Sequence, residues 1–170
     1  MVAEVPDAER HLEFALRQLS DPRVWPWHWP EGGEVVPGPR TREQALDIVD
    51  RQAAECEEVG YCLWWWRERT TGDLVGYVGL DRTDVEGEPV VEVGWSISPH
   101  RWGEGLAAEA GRASVDWGFD VAGLDRIVSY TLHDNLASRR VMEKIGLRYS
   151  RDFVRKGFDQ VLYELEAADR

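Results

Sequence analysis

Gly103 and Gly105 stand two residues apart, between a β-branched run ending at Ile97 and an alanine-rich stretch that begins at Leu106. A strand, a glycine turn and a helix in that order leave unpaired backbone N–H groups at the helix start, where the helix dipole also favours negative charge. Because glycine lacks a Cβ, the backbone can come close to phosphate oxygens. The chemistry that suits this spacing is capture of a phosphorylated ligand by Trp102, Gly103, Glu104, Gly105, Leu106 and Ala107. A second cluster, Asn135-x-x-Ser138, sets an amide and a hydroxyl three residues apart at the start of a helix, hence on one face. Asn135 also suits the helix N-cap. Glu92, on the strand leading to the glycine turn, reads either as a weak base or as a strand residue paired across the sheet.

Taken alone, Gly103-x-Gly105-x-x-Ala108 also meets the dinucleotide pattern G-x-G-x-x-A, with Asp125 downstream. That pattern opens a parallel sheet, whereas here three tightly turned strands precede it.

The elements that must position these residues follow from periodicity. Asp7 to Leu19 places Leu12, Ala15, Leu16 and Leu19 on one helical face. Val24 to Pro30 carries Trp25, Trp27, His28 and Trp29 together with two prolines, which excludes regular helix or strand, and a loop this apolar either walls a substrate cleft, the favoured reading, or caps the core. Thr41 and Gln44 form a capping box for a helix that runs to about Glu58 and stops at Gly60. Strands are expected over Tyr61 to Arg67, Leu74 to Leu80 and Val90 to Ile97, joined by turns at Thr70 to Asp73 and Asp84 to Pro89. A helix from Gly105 to Gly118 buries Leu106, Ala110, Ala113 and Trp117, and the strand Arg126 to Leu132 follows by a parallel, right-handed crossover. The helix Leu136 to Ile145 ends at Gly146, and Tyr149 to Arg155 with Phe158 to Leu165 close the chain as a hairpin around Lys156-Gly157. The fold class is α/β (α+β): a mixed, mostly antiparallel sheet flanked by helices, with one β-α-β crossover.

The chain has 170 residues, 43% of them hydrophobic, which fits one domain over residues 1–170. Its N-terminus lacks a basic start, and no apolar run approaches membrane-spanning length, so a cytoplasmic protein without a membrane partner is expected. A net charge of −12 makes nucleic acid an unsuitable partner and a cationic substrate an easier one. Cys56 and Cys62 fit no metal spacing and read as buried free thiols, and no metal is expected.

Three stretches together resemble a known family: Glu92-Val93-Gly94-Trp95, then Trp102 through Ala110, then Asn135 through Leu147. They are similar to the GNAT superfamily of acetyl-coenzyme A-dependent N-acetyltransferases, especially the branch with the ribosomal-protein N-terminal acetyltransferases. The resemblance implies that Trp102 to Ala107 hold the cofactor pyrophosphate and that Trp95, Ser96 and Ile97 pair with its pantetheine arm. It implies further that Asn135 bonds the pantetheine, that Ser138 lies near the sulfur as a proton donor, and that Glu92 serves as base. Trp102 stands where many members have Gln or Arg, and Val141 and Met142 lie where many relatives carry a tyrosine acid. The acceptor implied is a primary amine, either a protein N-terminus or a small molecule such as an aminoglycoside or polyamine. A non-catalytic coenzyme A-binding module keeps the same cradle. An α-amine, with a pKa near ~8, is neutral far more often at pH 7 than a lysine amine near ~10.4. Neither Cys56 nor Cys62 has an activating base, so direct attack in a ternary complex is expected. This branch opens with an extra strand that Met1 to Val5 is too short to supply fully, and an edge left exposed there would invite dimerisation or marginal stability, so a monomer and a homodimer both stay open.

Overall fold

The computed structural model describes residues 1–27 and 38–170. Among the described residues seven strands make one sheet in the order β1-β2-β3-β4-β5-β7-β6, and four α-helices accompany them. The chain forms two compact units, Met1–Tyr77 with Ser96–Glu104, and Val78–Trp95 with Gly105–Arg170. Among the described residues no helix is long and apolar enough to cross a membrane.

In the first unit β1 (Val2–Glu4) is followed by α1 (Ala8–Leu19), whose N-cap Asp7 accepts the Arg10 N–H at 3.0 Å. The α1 stripe that is buried comprises His11, Leu12, Ala15, Gln18 and Leu19, so two polar residues share the inner face with the expected leucines. The predicted capping box opens α2 (Arg42–Val59), with both Thr41 and Gln44 side chains engaged, and Gly60 ends it at φ 85°. The left-handed conformation there suits glycine. The core joins Leu12, Ala15 and Leu19 of α1 to Ala45 and Val49 of α2, to Trp65 of β2 (Leu63–Arg67) and to Tyr77 of β3 (Leu74–Val85). Trp65 keeps its indole N–H satisfied inside that core by donating to Gln52 Oε1 at 3.0 Å. The opening strand is a correction to the expected bare edge: Val2, Ala3 and Glu4 pair antiparallel with Arg67, Trp66 and Trp65. Three residues suffice because Glu4 is also anchored by Arg67 at 2.8 Å.

In the second unit the later part of β3 and β4 (Glu88–Ile97) outrun their predicted ends, and the turn between them shrinks to Glu86-Gly87. Both turn residues have positive φ, 55° and 87°, the tight hairpin geometry that matches strand twist and lets pairing extend to the tip. A parallel register sets Glu92 opposite Val128 of β5 (Arg126–Leu132), the expected crossover through α3 (Leu106–Asp120). The buried side of α3 is Ala110, Gly111, Ser114, Val115 and Gly118; Ala113 is exposed and Trp117 half-buried, correcting the predicted face. Small residues win because the helix lies close: a Cβ on Gly118 would come within 2.8 Å of Ile127 Cδ1 and 3.0 Å of Leu80 Cδ1. Then come α4 (Leu136–Lys144), β6 (Arg148–Arg155) and β7 (Phe158–Glu166), the last antiparallel to both β5 and β6. The class of fold is therefore as expected, mostly antiparallel with one parallel pair. Of the two cysteines, Cys62 is buried as expected but Cys56 only partly, and neither is in a disulfide.

Candidate active site

In the first unit the end of β4 is closely held. Ser96 and Ile97 are buried, and the Trp102 indole N–H reaches back to donate to the Ile97 carbonyl at 2.6 Å. Three predicted cofactor residues, Ser96, Ile97 and Trp102, are thus brought together. Arg101 bonds both carboxylate oxygens of Glu104 at 2.9 Å and also Glu68 at 3.1 Å. That guanidinium holds Glu104 below the usual carboxylate range, so an acid inside an anion-binding loop keeps its charge offset.

The glycine turn has the backbone its sequence called for. Gly103 and Gly105 sit at φ 86° and 83°, the left-handed region that L side chains avoid. Gly105 is the N-cap of α3 and has no side chain to close it. An uncapped helix start beside two left-handed glycines fits a diphosphate.

In the second unit Glu92 is half-buried, and its contact with Tyr130 is the pairing across the sheet that one of its two sequence readings gave. The register with Val128 puts Tyr130 diagonally across on the same face of the sheet. The Tyr130 hydroxyl bonds Glu92, lies 3.3 Å from Thr83 Oγ1 and accepts from Arg155 Nη1, while Arg155 Nη2 donates to Thr83 Oγ1 at 3.1 Å. Burial first, and the Glu92 charge second, push the Tyr130 phenol up, so it stays protonated and donates. Tyr130, Thr83 and Arg155 were missed because only a strand register brings them to Glu92. Trp95, on the same strand, is half-buried.

The Acetyltransferase (GNAT) domain model matches residues 5–148. The chain belongs to the GNAT acetyltransferase family. With that family comes acetyl-coenzyme A-dependent transfer of an acetyl group to an amine. The chain is 32% identical to Bacillus subtilis (strain 168) YkkB over 114 residues, 67% of this chain and 66% of that one. It is also 32% identical to the uncharacterized N-acetyltransferase YoaA of the same organism over 148 residues, 87% and 78% of the two chains. Among solved structures, the GNAT-family acetyltransferase from Bacillus anthracis superposes with a TM-score of 0.77 at 24% identity, covering 98% of this chain and 94% of that one. That likeness is one of fold.

Within this GNAT chain, Asn135 is the N-cap of α4: its Oδ1 accepts the Ser138 N–H at 3.2 Å and its Nδ2 donates to Thr131 Oγ1 at 3.0 Å. The capping role read from sequence is therefore present, and it brings Asn135 and Ser138 together. Met142 is buried and Val141 half-buried. Trp25 and Trp27 lie with Pro26 in a single 3-10 turn, a short regular element in a stretch expected to have none. One such turn tolerates Pro26 because its early N–H groups need no partner. Trp27 is 47% exposed, whereas His28 and Trp29 fall outside the described residues. Among the described residues no group of His, Cys, Asp and Glu is arranged to hold a metal.

Proposed function

We propose that this chain acetylates a primary amine by direct attack on acetyl-coenzyme A within a ternary complex, with a protein N-terminal α-amine as acceptor. The amine nitrogen bonds to the acetyl carbon, the carbon–sulfur bond breaks, and coenzyme A leaves. The proton lost by the amine passes to Glu92, directly or through one water, and Ser138 supplies a proton to the departing sulfur. Backbone amides of Trp102 to Ala107 hold the diphosphate, residues 95–97 align the pantetheine, and Asn135 contacts it from the α4 cap. Trp25 and Trp27 are assigned to the acceptor side.

The observation that carries this reading is the contact of the Tyr130 hydroxyl with half-buried Glu92 on β4, which sets a hydrogen-bond donor against the carboxylate assigned as base on the strand leading to the glycine turn. An excess of 32 acidic over 20 basic residues favours a second acceptor class, cationic small molecules such as polyamines or aminoglycosides. Free thiol is followed while the protein meets acetyl-coenzyme A and a panel of peptides, polyamines and aminoglycosides. Release that depends on peptides supports the N-terminal reading, and release with polyamines or aminoglycosides alone selects the second. Cofactor binding without amine-dependent release identifies a non-catalytic module.

A further inference from the structure

The end of β4 is gripped by residues outside the proposed transfer machinery. Gln18 on α1 is 4% exposed and donates through Nε2 to the Ser96 carbonyl at 2.8 Å and to Ser96 Oγ at 2.6 Å. A backbone carbonyl only accepts, so this contact fixes which end of the amide is nitrogen. Gln18 Oε1 is then left buried without a hydrogen-bond partner. On the neighbouring strand, a Cβ on Gly76 would lie 2.1 Å from the Ser96 oxygen, so only glycine permits the approach. The Ser98 N–H donates to the Val75 carbonyl at 2.8 Å. Residues 96 and 98 therefore turn their polar backbone groups toward β3, and Ile97 turns its own the other way. On that other side the Ile97 carbonyl is already taken by the Trp102 indole.

We infer that Gln18 is a positioning residue for acetyl transfer, clamping the Ser96–Ile97 peptide so that the Ile97 N–H meets the thioester carbonyl. The peptide is planar and trans, so the Ile97 N–H points opposite to the clamped Ser96 carbonyl. With Trp102 occupying the Ile97 acceptor, the strand presents a donor where negative charge develops on the acyl oxygen. A buried amide oxygen with no partner is unfavourable, and an apolar residue at position 18 would avoid it. The clamp gives that cost a function.

The inference rests on the acetyl-transfer reading, and the test separates the two. Gln18→Met keeps length and burial but removes the donor. Turnover is measured by thiol release with an accepted amine, acetyl-coenzyme A affinity by calorimetry, and folding by thermal denaturation. In Q18M, kcat falls about ten-fold or more while Kd stays within about three-fold, and Gln18→Glu, which sets an oxygen against the Ser96 carbonyl, falls further. An active wild type with an equally active Q18M overturns this inference alone, as does a loss shared equally by Kd and kcat. Wild-type protein that binds the thioester and acetylates no amine overturns both. If Q18M does not fold, Trp102→Phe at its exposed position serves instead: a drop in kcat supports the oriented amide, and an unchanged kcat overturns it.

Discussion

His11 Nε2 donates to Glu4 Oε2 across 3.1 Å, and its tautomer is fixed because Nδ1 accepts the Asp7 N–H at 2.9 Å. The ring is fully buried and stacks on Trp65 with centroids 5.2 Å apart. This contact, with the Arg67 bond to the same carboxylate, fastens the three-residue edge strand to α1. Burial holds His11 below its ordinary 6.5 against the opposing pull of Glu4, while the Arg67 bond is the main reason that Glu4 lies below 4.5.

Both shifts act in the same direction on stability. As pH falls below 6.5 the unfolded chain binds a proton at His11 before the folded one does, and below 4.5 the same holds for Glu4. Thermal denaturation should give a Tm that declines on acidification through the first window and more steeply in the second. His11→Phe keeps a stacked ring without a titrating group, so its Tm is lower at pH 7 but flatter between pH 6.5 and 5.

Glu92→Gln should lower kcat/KM by about 10²-fold or more if the carboxylate is the base. Tyr130→Phe removes a donor to the charged carboxylate, which raises the Glu92 pKa and moves the acid limb of the pH–rate profile upward. An unshifted limb in a folded Y130F protein would show that Tyr130 packs without tuning the base.

Gly105→Ala meets open space at Cβ, so its effect is confined to the backbone, where φ 83° disfavours an L residue. A cost of about 1–2 kcal/mol is expected for the left-handed conformation. If the loop relaxes to avoid it, calorimetry should find coenzyme A binding weakened roughly ten-fold, with kcat at saturation less affected.

Ser138→Ala and Asn135→Ala should separate acid from anchor. S138A lowers kcat with acetyl-coenzyme A affinity unchanged. N135A loses the α4 cap, about 1 kcal/mol of stability, and binds the cofactor less tightly. Full turnover in both S138A and E92Q would remove the acid and base assigned to the reaction.

Features set by neighbours in the chain were readable from sequence. Thr41 with Gln44, Gly60, Gly146 and the pair Gly103 and Gly105 each act through local backbone geometry, and each is found in its predicted place. Arg126 to Leu132 was bounded correctly because it is a compact run between turn signals. What escaped depends on partners far along the chain. The polar ends of β3 and β4 join the sheet because Glu86-Gly87 turns so tightly, and the α3 inner face follows the space beside Ile127 and Leu80 instead of hydrophobicity alone. Gln18 with Ser96, and Glu92 with Tyr130, are polar pairings whose members carry no mutual signal until helix and strand are packed.

The thin inner face of α3 has a reach beyond packing. Gly118 near one end and Gly105 at the other belong to one stiff rod, so the depth to which the helix sinks at Gly118 sets the height of its opening turn. A methyl group added at the far end would tip the rod like a shim under a beam. On the proposed function, grip on the phosphates is then graded from a position remote from the glycine turn.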